Sequence, residues 1–201
     1  MSKRRVVVTG CGVISCAGND VKTFWDAVVN GRCGLGRVTR FDASEFRTQI
    51  AGEVKNFDVC SCLNFKDAKR MDTFCHYAIA AADQAMKQAG LPTDGAWGNV
   101  DPERVGVLVS SGIGGLSSMT EQHALMLERG PGRVSPLLIP MMISDLISGN
   151  ISIHFGATGP NFSLVSACTG TYLNDNILVV IRILGKKKYL HCILKLCDTL
   201  L

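Results

Sequence analysis

Cys168 is the residue of this 201-residue chain whose type and position best fit chemistry. The segment 159–171 begins with a Gly-Pro turn, continues as an apolar run and ends in small residues around the cysteine. This pattern predicts a buried strand that turns into a helix at Cys168. The positive end of a helix dipole lowers the pKa of such a thiol from about 8.5 into roughly the 3.5–7.5 range. Because the thiolate is the nucleophile, the placement favours acyl-enzyme chemistry, with a packed structural cysteine as the alternative.

The composition favours a globular protein of the cytoplasm. Hydrophobic residues make up 47% of the chain, enough for the core of one domain or slightly more. No apolar run reaches the roughly 18 residues of a membrane helix, and residues 1–8 lack the apolar part of a signal peptide. Nine cysteines, an odd number, fit reduced thiols better than a disulfide framework. Cys60 and Cys62 form the only close pair, and without a second pair or a nearby histidine they do not favour a zinc site.

The last 25 to 30 residues differ from the rest of the chain. Residues 1–176 hold 16 basic and 16 acidic side chains, so residues 177–201 account for the whole net charge of +4. Glycine shows the same change, since 20 of the 21 glycines lie at or before Gly170. We therefore expect a domain over residues 1–171 and a divergent tail over 172–201, of the kind that a frameshift, a misjoined exon or a truncated gene produces. The short basic run lacks interleaved aromatic residues, so it does not indicate nucleic-acid binding.

Strand and helix patterns alternate between these limits, which indicates a layered α/β domain. The run Arg5–Thr9 predicts a central strand that ends in a turn at Gly10-Cys11-Gly12. Val105 to Ser110 is apolar at successive positions, which predicts a strand covered on both faces. Residues 34–64 are expected to be an irregular connection with short extended pieces such as Gln49–Val54. A helix is predicted over 21–30, with Asn19 or Asp20 as its N-cap and with Phe24, Ala27 and Val28 on the buried face. Further helices are predicted over 72–89, 116–129 and 142–155.

The first glycine turn also raises the alternative of a dinucleotide-binding motif, which needs G-x-G-x-x-G opening directly into a helix. Ser15 stands at the third glycine position, and a loop precedes the next helix. No acidic residue ends a convincing second strand, since Asp42 lies in irregular sequence. Nucleotide binding is therefore disfavoured, and no cofactor is predicted.

Several motifs, each weak alone, form a specific ordered set. They are Arg-Val-Val-Val-Thr-Gly-Cys-Gly near the start, Gly52-Glu53, Lys69-Arg70-Met71-Asp72, Ser111-Gly112-Ile113-Gly114-Gly115-Leu116, Gly159-Pro160-Asn161 and Ser166-Ala167-Cys168. Over about residues 3–171 the chain resembles the elongating β-ketoacyl-acyl carrier protein synthases, of the synthase II type. The resemblance implies the N-terminal half of a thiolase-like fold, with a mixed five-stranded sheet between helices, in a protein that is usually a homodimer.

The resemblance also implies a mechanism and a set of site residues. Cys168 would take an acyl chain from acyl carrier protein as a thioester, and the carbanion formed when malonyl-carrier protein loses CO2 would attack that thioester. Backbone N–H groups would form an oxyanion hole. Ile113 would line the acyl pocket, with ordinary core packing as the alternative. Basic residues would meet the acidic carrier protein, with an ordinary solvated surface as the alternative; they are Lys66, Lys69, Arg70 and Arg133.

The chain also departs from the family pattern. Family members are roughly twice as long, and the half that has no counterpart here supplies two catalytic histidines. None of the four histidines of this chain lies in a matching motif, and Tyr172 stands where the family often has histidine. We therefore expect that the chain does not condense acyl and malonyl groups by itself, and that it exposes an apolar face. A non-catalytic module that binds carrier protein or dimerises is the alternative.

Overall fold

The computed structural model describes residues 6–165, 180–184 and 189–197. Its strands are β1 (Val6–Ser15), β2 (Gly36–Arg37), β3 (Ile50–Ala51), β4 (Val105–Ser110), β5 (Asn161–Leu164), β6 (Val180–Leu184) and β7 (Tyr189–Cys197). Its α-helices are α1 (Val21–Val29), α2 (Phe65–Ala68), α3 (Thr73–Gln88), α4 (Leu116–Arg129), α5 (Leu138–Met142) and α6 (Leu146–Phe155). Short 3₁₀ turns occupy Val59–Ser61, Pro102–Arg104 and Pro131–Arg133. Among these residues, no helix combines the length and apolar character that crossing a bilayer requires.

The main sheet has the strand order β1-β7-β6-β4-β5. β1 pairs in parallel with β7, and β4 pairs in parallel with β5. β6 runs antiparallel to both of its neighbours, β4 and β7. The sheet is therefore mixed, and two of its three interior strands, β7 and β6, come from residues beyond 171. β2 and β3 form a separate antiparallel pair within the connection over 34–64, and β3 lies in the extended piece predicted at Gln49–Val54.

Helices α3 and α6 pack against each other and against the sheet. The alanine-rich stripe of α3 is buried, with Ala78, Ala81 and Ala85 fully inaccessible to solvent. Val105, Val107 and Val109 share one face of β4 and are buried. On the opposite face Gly106 and Ser110 are buried and Leu108 is half-buried, as a strand covered on both faces requires. The predicted layered α/β architecture is thus confirmed in this coarse form.

The predicted turn at Gly10-Cys11-Gly12 is wrong. β1 continues through these residues to Ser15, with a register shift between Val8 and Gly10. A Cβ atom at Gly10 would lie 2.0 Å from the carbonyl oxygen of Ala85, and one at Gly12 would lie 1.9 Å from that of Ala81. The two glycines therefore allow α3 to pack directly on the β1 backbone.

The helix predictions hold, with two differences. In α1, the Asp20 side chain accepts a hydrogen bond from the Thr23 N–H as the expected N-cap, but Val28 is 50% exposed and lies outside the buried face. The helix predicted over 142–155 begins only at Leu146. Ile143 has extended backbone (ψ 137°) and separates it from α5.

Candidate functional site

Cys168, together with the helix predicted to begin there, lies outside the described residues, so its role stays a prediction. The strand that leads to it is β5, which pairs with β4 so that Ser110 lies opposite Leu164. The prediction that this strand is buried is wrong for the described residues, because β5 is the last strand of the sheet and three of its four residues are exposed. Parallel strands have their carboxyl ends at the same edge of a sheet. After Leu164 the chain therefore leaves β5 at the edge where the loop 111–115 leaves β4.

The loop 111–115 is held tightly against α5 by its glycines. Gly114 has a φ of +84°, and a Cβ atom there would lie 2.3 Å from the carbonyl oxygen of Met142. A Cβ at Gly115 would lie 2.3 Å from the carbonyl oxygen of Met141, and the Gly115 N–H donates to the Met142 carbonyl at 2.8 Å. The Gly114 N–H donates to Ser111 Oγ at 3.0 Å. Any side chain at these two glycines would push the loop off α5.

Asp72 connects the start of α3 to the start of α4. Its carboxylate is buried, and Oδ2 accepts hydrogen bonds from Ser118 N at 2.9 Å and from Ser118 Oγ at 2.6 Å. Ser118 lies in the first turn of α4, where a negative charge is stabilised by the helix dipole. The sequence indicated Asp72 only as the beginning of α3. Its partner lies 46 residues away, so no local signal reveals it.

A mostly apolar cavity of about 280 Å³ lies beside this loop. Its lining residues are Ile113, Leu116, Met119, Met142, Ile143 and Ser144. Ile113 is 66% exposed among the described residues. Its predicted role as an acyl-pocket wall stays a prediction.

The four basic residues predicted to meet carrier protein are all exposed. Lys66 is in α2, and Lys69 and Arg70 follow it directly. Lys69 Nζ lies 4.3 Å from the centre of the Phe65 ring. Arg133 ends a 3₁₀ turn that packs on α4. None of the four forms an ion pair with a described residue, so their charges are available to a partner.

His76 of α3 and His154 of α6 contact groups of the surrounding fold. His76 Nε2 is 2.9 Å from the carbonyl oxygen of Ala68. His154 packs edge-on against the Phe155 ring, with 4.7 Å between ring centres, and burial lowers its pKa. Across the part of the chain that the structure describes, no three His, Cys, Asp or Glu side chains are grouped as a metal site requires.

Comparison with known proteins shows the family. Residues 3–174 match the family described as "Beta-ketoacyl synthase, N-terminal domain". The chain belongs to the β-ketoacyl synthase family. It is 45% identical over 168 residues to 3-oxoacyl-[acyl-carrier-protein] synthase 2 of Synechocystis sp., an alignment that covers 84% of this chain and 39% of that protein. The chain thus spans about two fifths of the length of this relative.

Solved structures show the same relationship. The ishigamide ketosynthase/chain length factor matches with a TM-score of 0.73 and 26% identity over 82% of this chain and 40% of that one. A type II PKS ketosynthase in complex with its acyl-carrier protein matches with a TM-score of 0.62 and 25% identity, over 81% of this chain and 41% of that one. These comparisons confirm the resemblance that the ordered motifs indicated. The fold is part of the thiolase-like fold of ketosynthases.

Proposed function

We propose that this family member acts as a β-ketoacyl-acyl carrier protein synthase of fatty-acid biosynthesis, with Cys168 as its nucleophile. The Cys168 thiolate attacks the carbonyl carbon of an acyl thioester, and the thiol of the carrier protein leaves. Malonyl-carrier protein then loses CO2, and its carbanion attacks the new thioester and releases Cys168. The observation that carries this proposal is the 45% identity to a 3-oxoacyl-[acyl-carrier-protein] synthase 2 over 84% of the chain.

The cavity beside the loop 111–115 suits the acyl chain. Isoleucine, leucine and methionine side chains supply its wall, and Ser144 supplies one hydroxyl. Its volume of about 280 Å³ is close to the lower end of ordinary small-molecule pockets. Since Ile113 is exposed in this cavity, we propose that it contacts the acyl chain.

The carrier protein is proposed to dock on Lys66, Lys69, Arg70 and Arg133. Exposed cations without ion-pair partners attract an acidic protein and steer its approach. A carrier protein sits on its ketosynthase in the related complex, which supports a corresponding surface here. An ordinary solvated surface is the alternative for these charges. Reversing Lys69 and Arg70 together to glutamate distinguishes the two, because only a docking surface raises KM for carrier protein, by about tenfold or more.

We also propose that the protein is a cytoplasmic homodimer. The nine cysteines, an odd number, fit a reducing compartment. The dimer is proposed to form through β5. This strand is the last of the sheet in the described residues, and it exposes Phe162 and Leu164. An edge strand with apolar side chains is able to pair with a second copy.

The family domain is proposed to cover residues 1–171, with residues 172–201 as a divergent segment that nevertheless contributes β6 and β7. The 201-residue chain is proposed to accept an acyl group without completing condensation. This follows because His76 and His154 have structural contacts and none of its four histidines lies in a family motif.

Transfer of a labelled acyl group from acyl carrier protein to the purified chain tests the function. We expect the label on Cys168 by peptide mass spectrometry, loss of labelling in Cys168→Ala, and full labelling in Cys60→Ser, which removes an exposed cysteine. Failure of Cys168 to accept acyl groups in folded protein would favour the non-catalytic module. Formation of β-ketoacyl product by the chain alone would contradict its proposed dependence on further residues.

A further inference from the structure

We propose that Asp72 is a positioning residue for acyl selectivity, because it anchors the start of α4 and so holds in place the part of the cavity wall that carries Ile113. The inference rests on the function proposed above, in which this cavity receives the acyl chain. Asp72 itself is 7% exposed and does not line the cavity, so it acts through the residues that it holds.

Asp72 caps α4 instead of its own helix. It stands at the N-cap position of α3, yet its side chain makes no capping hydrogen bond there. The N-cap position of α4 is Gly115, which has no side chain to offer, and a Cβ atom there would lie 2.9 Å from Asp72 Oδ2. That oxygen accepts the N–H of Ser118, the third residue of α4, at 2.9 Å. A residue distant in sequence thus supplies the cap that glycine cannot supply.

This contact joins α4 to the core. Of the 14 residues of α4, Ser118 is the one that is buried. The helix also packs on α5 and on the 3₁₀ turn Pro131–Arg133, but neither of these elements contains a buried residue. Asp72, in contrast, begins α3, whose buried residues form much of the core. The Ser118 hydroxyl adds a second hydrogen bond to Oδ2, at 2.6 Å.

The anchored segment forms one part of the cavity wall. The lining residues on this side are Ile113, Leu116 and Met119. The rest of the lining, residues 142–144, belongs to the end of α5 and the connection after it, and Ser163 Oγ of β5 holds it by donating to the Ser144 carbonyl at 3.2 Å. Loss of the Asp72 contact therefore frees the α4 side of the wall and leaves the other side attached to the sheet.

A loosened wall affects long acyl groups more than short ones. A long chain gains affinity from a preformed apolar surface and loses it when that surface has to be ordered on binding. An acetyl group is too short to use the cavity. A purely structural role for Asp72 would instead lower the amount of folded protein and reduce the acceptance of every acyl group alike.

Methionine methyl signals in NMR spectra report on the cavity without any need for chemistry at Cys168. The signals of Met119 and Met142 represent the two parts of the lining and are assigned with the Met119→Leu and Met142→Leu variants. We expect octanol to shift both signals in the wild-type chain. In Asp72→Ala the Met119 signal should already differ without octanol, and half-saturation should need about tenfold more octanol. Asp20→Ala removes the cap of α1 and should leave both signals unchanged.

Acyl transfer to Cys168 then measures selectivity, as the ratio of kcat/KM for octanoyl-carrier protein to that for acetyl-carrier protein. Lys69 and Arg70, proposed to dock the carrier, directly precede Met71 and Asp72, and a ratio on one carrier cancels any change in docking. We expect Asp72→Ala to lower the ratio by about tenfold or more. Asp72→Asn keeps an acceptor oxygen for Ser118 and should stay within about twofold of wild type, as should Asp20→Ala.

Ser118→Ala removes only the hydroxyl bond and should lower the ratio by about threefold. It carries the test even if Asp72→Ala does not fold, because the backbone bond at residue 118 remains. In the double variant Asp72→Ala/Ser118→Ala the ratio should fall no further than in Asp72→Ala, since both substitutions remove the same contact. Circular dichroism establishes folding for every variant.

The outcomes separate this proposal from the function on which it rests. An unchanged ratio in folded Asp72→Ala or Ser118→Ala, or an equal loss in Asp72→Asn and Asp72→Ala, would overturn the positioning role and leave the proposed function intact. Failure of the wild-type chain to accept either acyl group would overturn the proposed function and the acyl selectivity with it. The methionine signals would still decide whether Asp72 holds the wall.

Discussion

Cys75 and Cys62 are kept protonated by their surroundings, whereas a nucleophilic cysteine must be ionised. Burial raises the pKa of the Cys75 thiol to about 12, and the Asn150 amide donates to its sulfur at 3.4 Å. Burial, with a further contribution from Asp83, raises the pKa of the Cys62 thiol to about 11. Both stay protonated at neutral pH, so neither competes with an ionised Cys168 for a thiol electrophile.

The buried Cys75 thiol predicts a loss of stability at alkaline pH. In the unfolded chain this thiol ionises near pH 9.0, whereas in the folded protein it ionises only near pH 12. Between these values the folded state binds the extra proton, so its contribution is complete below about pH 9 and falls as pH rises. The expected slope is about 1.4 kcal/mol per pH unit. Urea unfolding of wild type and Cys75→Ala in reducing buffer at pH 8 and pH 10.5 measures it.

Comparison with Cys75→Ala isolates this contribution, because both proteins share every other titrating group. The difference in free energy of unfolding between them should shrink as pH rises. A difference that stays constant up to pH 10.5 would show that Cys75 ionises equally easily in both states.

Contact between β1 and α3 depends on glycine at two positions of the strand. We predict that Gly12→Ala destabilises the fold by several kcal/mol, of order 3, because the new Cβ would lie 1.9 Å from the Ala81 carbonyl oxygen. Gly149→Ala is the matched control. Gly149 lies within α6, nothing lies within 4 Å of its new Cβ, and alanine should stabilise the helix by about 0.5–1 kcal/mol. Thermal unfolding of the two variants should shift in opposite directions, and equal shifts would contradict the packing argument.

The free edge of β1 is covered by two glutamines one turn apart on α3. Gln84 Oε1 accepts from Val13 N at 3.1 Å, and Gln88 Oε1 accepts from Cys11 N. Gln84 Nε2 also donates to the Asn19 carbonyl at 2.7 Å. These side chains satisfy N–H groups on the side of β1 that no strand covers in the described sheet.

We predict that Gln84→Ala lowers the free energy of unfolding by about 1–3 kcal/mol, because the N–H of the buried Val13 loses its acceptor. Gln84→Glu should recover part of the loss, since it retains an acceptor oxygen. Lys87→Ala removes only a surface ion pair with Asp83 on the same helix and should change stability by less than about 0.5 kcal/mol. Chemical denaturation measures all three, and similar losses for Gln84→Ala and Lys87→Ala would contradict the edge-capping role.

Sequence patterns predicted the regular elements because local signals define them. The Asp20 cap and the spacing of the alanines place α1 and α3 within about a residue of their observed bounds. Gly10 and Gly12 were wrongly predicted to form a turn, because the helix that requires glycine at these positions lies more than 60 residues away in the sequence. The Asp72–Ser118 contact was missed for the same reason. Motif order predicted the family, while the geometry around the site depends on long-range packing.

For the protein as a whole, the change in composition near residue 171 does not coincide with the edge of the sheet. β7 pairs with β1 from Val6↔Tyr189 to Ser15↔Cys197, and β6 joins it to β4. Composition reports charge and glycine content, neither of which determines strand pairing. The sheet formed with residues 1–171 therefore includes strands from residues 172–201, although the two segments differ in composition.

Apolar side chains remain uncovered at the other end of this sheet, beside β5. Ile153 is 79% exposed and Phe162 is 61% exposed, and Asn161 Nδ2 holds β5 to α6 by donating to the Ser148 carbonyl at 3.0 Å. Exposed apolar side chains on and near an edge strand favour association.

We predict that the purified chain associates through this edge and that Phe162→Glu shifts it towards monomer, because a buried unpaired carboxylate at the interface is costly. Leu127→Glu is the matched control, since Leu127 is 72% exposed on α4 and lies outside this surface. Light scattering coupled to size exclusion measures the mass of each protein, and circular dichroism verifies folding. A sharp monomer for wild type, or equal dissociation by both variants, would contradict association through β5 and with it the proposed route to a homodimer.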